Sequence, residues 1–143
     1  MTLSLSGVEV GDRLKQRLPQ AIELADGCCL WLKREHFLGA AGWLKETLEL
    51  DYLTNLTAAD VGDHFEVTYH FTSVERNHSL MVKVQCPRQD AQVPSVVGLW
   101  CGADLQEREV YDLMGVSFPG HPRLKRVFLW ESFEGHPLRK DYL

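Results

Sequence analysis

No apolar run in this 143-residue sequence approaches the roughly 18 residues that a bilayer-spanning helix needs. The first ten residues, Met1 to Val10, carry no basic region followed by an apolar stretch. No signal peptide is therefore expected, and any membrane association is expected to come through partners. Basic charge is scarce as well: 15 Lys and Arg stand against 20 Asp and Glu, a formal net charge of -5. That argues against general nucleic-acid binding, because neutralising phosphates needs a basic face. A Gly-rich phosphate loop is missing, so nucleotide binding has no motif to rest on. The four cysteines, at positions 28, 29, 86 and 101, include no C-x-x-C pair. An adjacent Cys28–Cys29 disulfide would be awkward, and the surroundings of the thiols are apolar. They read as reduced core residues, at spacings unsuited to a cysteine-held iron–sulfur cluster.

What is present is a globular composition, 45% apolar and 24% charged, at a length that fits one domain. Val8, Val10, Leu14 and Leu18 recur at helical spacing, which predicts a helix over 8–20 ending at Pro19. A β-prone run, Cys28 to Leu32, is followed by a second predicted helix over 35–49 with Phe37, Leu38, Ala41, Leu44 and Leu48 on one side. Tyr52 to Thr57 reads as a strand. The pair 64–74 and 78–86 is the clearest hairpin, with Phe65, Val67, Tyr69 and Phe71 alternating against Leu80, Val82 and Val84 across a polar turn. Pro94 to Val97 is expected to open a short helix. A further helix is expected from Asp104 to about Met114, with Asp104 as cap, Glu107 completing a capping box and Gly115 as stop. The fold class that follows is α+β: a small, mostly antiparallel sheet with helices packed on it, then an extended irregular C-terminal tail.

The boundary of that tail is compositional, dividing an α+β domain over 1–114 from residues 115–143. The tail holds three of the six prolines and the aromatics Phe118, Phe128, Trp130, Phe133 and Tyr142. Its five basic and three acidic residues give +2, against ten and seventeen, or -7, before it. A polar tail of this kind would be disordered, but an aromatic-rich one is expected to lie along a surface. Fully extended it could reach about 95 Å, more than folding back on its own domain requires, which favours wrapping a partner. A tail that caps its own sheet is the alternative.

Charge is dense on the helix before it. Asp104, Arg108 and Asp112 fall four residues apart, so Arg108 can bridge both carboxylates on one face. Two Gly-His-Pro bends follow, at His121 and His136. A zinc site from these histidines and two carboxylates is conceivable, but their spacing and the lack of a cysteine partner make it weak. A Cys101–His121 dyad has no orienting motif.

The run Glu107-Arg-Glu-Val-Tyr-Asp-Leu-Met-Gly115, then Gly120-His-Pro-Arg-Leu-Lys-Arg-Val-Phe128, resembles the signature of the thirty-kilodalton subunit of complex I. Trp130 to Tyr142 is similar to that family's C-terminal segment. The resemblance is specific over 104–143 and rests on element order and size before that. It implies a non-catalytic peripheral subunit with no cofactor of its own, at the cytoplasmic face of the cell membrane. Its implied partners are the hydrogenase-like subunit, which helps form the quinone pocket, and a neighbouring iron–sulfur subunit. The assembled complex passes electrons from NADH to quinone and couples this to proton translocation. Phe118, Phe128, Trp130 and Phe133 are then expected as buried anchors on the partner. Arg108, Arg126, Arg139 and Lys140 would pair with acidic groups or carbonyls there, and Glu107 and Glu109 would hold the helix end and receive partner arginines. Tyr111, Asp112, His121, Lys125 and His136 belong to the same signature and are expected at the same contact. Alternatives are the equivalent subunit of a membrane-bound energy-converting hydrogenase or formate hydrogenlyase, and a stand-alone metal-dependent enzyme built on His121 and His136.

Overall fold

The structure, a computed structural model, describes residues 2–130 and 132–139. Its frame is a meander of three long strands, β4 (Tyr52–Asp60), β5 (His64–Ser73) and β6 (His78–Pro87). Every second residue of β5, from Phe65 to Ser73, is buried. The register pairs Phe65 with Cys86, Val67 with Val84, Tyr69 with Val82 and Phe71 with Leu80. The hairpin read from alternation is therefore present, and it turns through Asn77 at a positive φ of 54°. Two short strands precede it in the chain, β2 (Ile22–Ala25) and β3 (Leu30–Leu32), and β1 (Leu3–Ser4) lies beside β6. The sheet order is β2-β3-β6-β5-β4, with β1 on β6. β3 and β1 run parallel to β6, while the other pairings are antiparallel. Neither β1 nor β2 is expected from the sequence: each is too short to show a period, and β2 is an edge strand.

Helices α1 (Gly7–Lys15), α2 (Phe37–Thr47) and α3 (Ala103–Met114) contribute to one hydrophobic core with the sheet. Ser6 Oγ accepts from Glu9 N–H to start α1, which stops well before the expected Pro19 and buries Val10 and Leu14 while Val8 stays exposed. In α2 the inward face is Phe37, Ala40, Ala41 and Leu44; Leu38 is exposed. Aromatic rings tie the layers: Phe37 to Tyr69 at 4.8 Å, Tyr69 to Phe71 at 5.7 Å and Phe71 to Trp100 at 4.4 Å. Trp100 Nε1–H donates to Leu50 O at 2.7 Å, so its polar edge is satisfied inside.

Several expectations change. Pro94 to Val97 opens no helix; Val96 O accepts from Leu99 and Trp100 N–H in a single turn. The capping box is absent, since Gly102 occupies the cap of α3 and makes no side-chain bond there. Asp104 already lies inside the helix and Glu107 reaches elsewhere. Only Cys29 and Cys86 are buried; Cys28 and Cys101 are exposed, and all four are free. Burial pushes the Cys29 thiol up to about 11, against the pull of Lys83. The expected boundary at Gly115 is also not where the core ends. Val116 and Phe118 are buried, and residues 91–95 pair with 117–119: Ser117 N–H donates to Ala91 O at 2.8 Å, Val93 N–H to Ser117 O at 3.0 Å, and Ser95 N–H to Pro119 O at 2.8 Å.

Candidate partner-docking surface

Helix α3 carries Ala103, Glu107, Val110 and Met114 on one buried stripe. Glu107 is thus a carboxyl within an apolar row, and its partners come from the loop opposite. Ser95 Oγ donates to Oε1 at 2.6 Å and Val96 N–H to Oε2 at 2.9 Å. Burial raises its pKa, and the two hydrogen bonds oppose that rise. Another row of α3, outside that stripe, meets the chain returning from Gly120. His121 Nδ1 accepts from Arg123 N–H at 2.9 Å, which leaves the ring proton on Nε2. That N–H points at Asp104 O, 3.2 Å away. Asp104 Oδ1 lies 3.0 Å from Nε2 and has no hydrogen bond of its own.

Asp112 organises the next stretch. Its Oδ2 accepts three successive backbone N–H groups, from Val127 at 3.0 Å, Phe128 at 2.7 Å and Leu129 at 3.0 Å. Its Oδ1 pairs with Arg126 Nη1 at 2.9 Å. Burial alone would raise this carboxyl, but the three amides and the guanidinium together hold it below its ordinary value. Arg126 also donates to Gly135 O at 3.1 Å and lies over the Phe133 ring at 5.6 Å. Arg108 donates to Lys125 O at 3.1 Å and Arg126 O at 3.3 Å.

The chain then closes over the C-terminus of α3, whose last carbonyls have no partner within the helix. His136 Nδ1 meets Asp112 O at 3.0 Å, Leu138 N–H donates to Leu113 O at 2.9 Å, and Arg139 Nε donates to Met114 O at 2.6 Å. Two arginines at a helix C-terminus also complement its dipole. Gly115 ends the helix at φ 78°, and a Cβ there would stand 2.5 Å from Arg139 Nη2.

Residues 120–130 and 132–139 therefore form a strap bound to α3 of its own chain, and this redistributes the expected roles. Arg108, Arg126 and Arg139 are engaged by backbone carbonyls of the same chain. The expected ladder of Asp104, Arg108 and Asp112 is not made, because each meets the strap instead. Glu107, Asp112 and Phe118 are buried within the chain and present nothing to an outside surface. Phe133 is half-buried, and Trp130 meets it edge-on at 5.1 Å. Tyr111 is half-buried, 6.5 Å from the His136 ring. Phe128 and Trp130 face outward, 62% and 65% exposed. Glu109 and Lys125 are exposed, with their surface open to a partner. Lys140 lies outside the described residues. His121 and His136 each turn a ring nitrogen to a carbonyl. Among the described residues no three His, Cys, Asp or Glu side chains converge as metal ligands.

The segment in which α3 and the strap interlock also lies within a family match. The family model described as respiratory-chain NADH dehydrogenase, 30 Kd subunit, matches residues 30–143. The chain belongs to this family. The C subunit of NADH-quinone oxidoreductase from Moorella thermoacetica is 42% identical over 132 residues, 89% of this chain and 89% of that one. The C/D subunit of NADH-quinone oxidoreductase from Pseudomonas fluorescens is 49% identical over 81 residues, 57% of this chain but 14% of that longer protein. Among solved structures, a chain of the membrane-bound sulfane sulfur reductase, an archaeal respiratory membrane complex, aligns with TM-score 0.77 at 26% identity. That alignment covers 95% of this chain and 85% of the other.

For a member of the thirty-kilodalton subunit family, the residues that sequence reasoning misses are mostly internal. Ser95 has no local signal, lying twelve residues before the carboxyl it binds. Gln106, whose Oε1 accepts Leu56 N–H at 2.8 Å and so ties α3 to edge strand β4, has none either. Leu138, 59% exposed, and Val127, 38% exposed, are further outward apolar residues. Among the described residues no helix is long and apolar enough to cross a membrane.

Proposed function

We propose that this chain is a docking subunit of an NADH-quinone oxidoreductase, held peripherally on the cytoplasmic side of the membrane against a hydrogenase-like subunit. An iron–sulfur subunit is its second neighbour. The chain contributes shape and position to the complex that carries electrons to quinone, and no active site of its own. One observation carries the reading: a strap whose amides at 127–129 are held by Asp112 turns Phe128 and Trp130 outward. Exposed aromatics fixed on a rigid support are the usual anchors of protein interfaces. The relative from Pseudomonas fluorescens adds support, since the C and D subunits are joined there in one chain.

The test is affinity capture of the tagged chain from native membranes, beside a version ending at Arg123. Capture of hydrogenase-like and iron–sulfur subunits by the full chain, and their loss with the shortened one, is expected. A full chain that comes down alone and folded would overturn the reading. The likeness to the sulfane sulfur reductase chain favours a second reading, the equivalent subunit of another energy-converting membrane complex. The electron-input subunits that co-purify distinguish the two.

A further inference from the structure

In the strap between Lys125 and Trp130 the backbone amides face inward and the large apolar side chains face outward. The amides of Val127, Phe128 and Leu129 all converge on one oxygen of Asp112, and the carbonyls of Lys125 and Arg126 accept from Arg108. A partner strand could not pair with this stretch, because the donors it would need are already committed on the inner side. Three side chains of the stretch point the other way, while that of Arg126 turns inward to Asp112. Val127, Phe128 and Trp130 are 38%, 62% and 65% exposed. Trp130 is not loose: its ring meets Phe133 edge-on at 86°, and Phe133 lies under the Arg126 guanidinium that pairs with Asp112. One buried carboxylate thereby fixes both the backbone of the loop and, through Arg126 and Phe133, the stance of its outermost aromatic.

We infer that residues 126–130 are a preformed docking loop templated by Asp112, which inserts Phe128 and Trp130 into a concave apolar pocket of the hydrogenase-like partner and does not extend one of its sheets. The inference rests on the docking function proposed above. Asp112 is a positioning residue in this scheme, since it touches no partner atom. A loop already in its bound shape loses little freedom on association, so its affinity resides in the aromatic anchors and its readiness in the carboxylate.

The experiment is amide hydrogen exchange on the full-length free chain, combined with affinity measurement against the co-produced hydrogenase-like subunit. In the free chain the amides of 127–129 are expected to exchange at least about tenfold more slowly than in Asp112→Asn, since charge-assisted bonds of this kind shift such equilibria by that much or more. The double substitution Phe128→Ala with Trp130→Ala is expected to keep that protection while weakening partner binding roughly 100-fold, the scale of two interface hot spots. Protection that arises only when the partner is added would show a loop that folds on docking and would overturn the inference. So would a double variant that binds as well as the unaltered chain. If the unaltered chain itself fails to bind the hydrogenase-like subunit, the docking reading fails, whereas protection in the free chain reports on the loop separately.

Discussion

Glu107 and Asp112 lie five residues apart on one helix, both buried, and their environments push them in opposite directions. Glu107 sits in an apolar stripe with two donors, and burial wins: its pKa is raised from the ordinary 4.5. Asp112 sits against three amides and a guanidinium, and they outweigh burial: its pKa is lowered from 3.8. The consequences for stability are opposite in sign. Asp112 contributes stability that is present above pH 3.8 and lost as pH falls through its lowered folded value. Glu107 is unpenalised below pH 4.5, and its ionisation costs stability as pH rises towards its raised folded value. Urea midpoints measured across pH should therefore show Asp112→Asn flattening the acid limb and Glu107→Gln flattening the decline above pH 4.5. Glu107→Ala is a harsher change, because Val96 N–H and Ser95 Oγ–H lose their acceptor in a buried place. A loss of about 3 kcal/mol is expected by urea unfolding, with Gln retaining much of the stability. The burial of Glu107 is legible in principle, since Ala103, Glu107, Val110 and Met114 follow a four-three-four spacing. The capping-box pattern competes for the same residue, and local pattern alone does not say which donor a glutamate reaches.

At the scale of elements, alternation and helical spacing reveal β5, β6 and part of the inner face of α2, namely Phe37, Ala41 and Leu44, because those elements bury one face against a single core. They do not place the strap, whose order comes from side chains bonding to backbone far away in sequence. Asp112 to Leu129 spans seventeen residues with no period between them. The charge pattern of α3 misleads for the same reason: helical neighbours four apart offer only a few tenths of a kcal/mol when exposed. A buried nest of amides offers Asp112 more. Gly115 joins the two elements. Replacing it by Ala puts a Cβ against Arg139 and His136 in a left-handed backbone conformation, at a cost of about 1–2 kcal/mol for the backbone alone. The expected outcome is a strap lifted from the end of α3. Limited trypsin digestion should then cut after Arg126 and Arg139 sooner than in the unaltered chain, while β4–β6 resist.

Over the whole molecule, the structure moves the place where the chain can be shortened. Composition puts the change at Gly115, which makes a cut there look like a clean way to tell a partner-binding tail from one that caps its own fold. Val116 and Phe118 belong to the core, however, and residues 117–119 pair with 91–95. Ending the chain at Gly115 removes a buried Phe, worth about 1.5–3 kcal/mol, a buried Val, and the three backbone hydrogen bonds between 91–95 and 117–119. Against a domain stability of about 5–15 kcal/mol that loss is severe, and it would masquerade as evidence for a tail that only serves its own domain. Ending at Arg123 keeps those contacts and the His121 bonds to α3, and removes the Asp112-bound loop together with the cover on the helix C-terminus. Circular dichroism melts of the two truncated chains separate the contributions. The chain ending at Arg123 should unfold cooperatively a few degrees below the full chain, since only exposed-side caps and one carboxylate nest are gone. The chain ending at Gly115 should lose most of its cooperative transition. Equal, near-native melting of both would mean that Phe118 adds little to the core; equal collapse of both would mean that the strap, through Asp112 and Arg139, is part of what folds the domain.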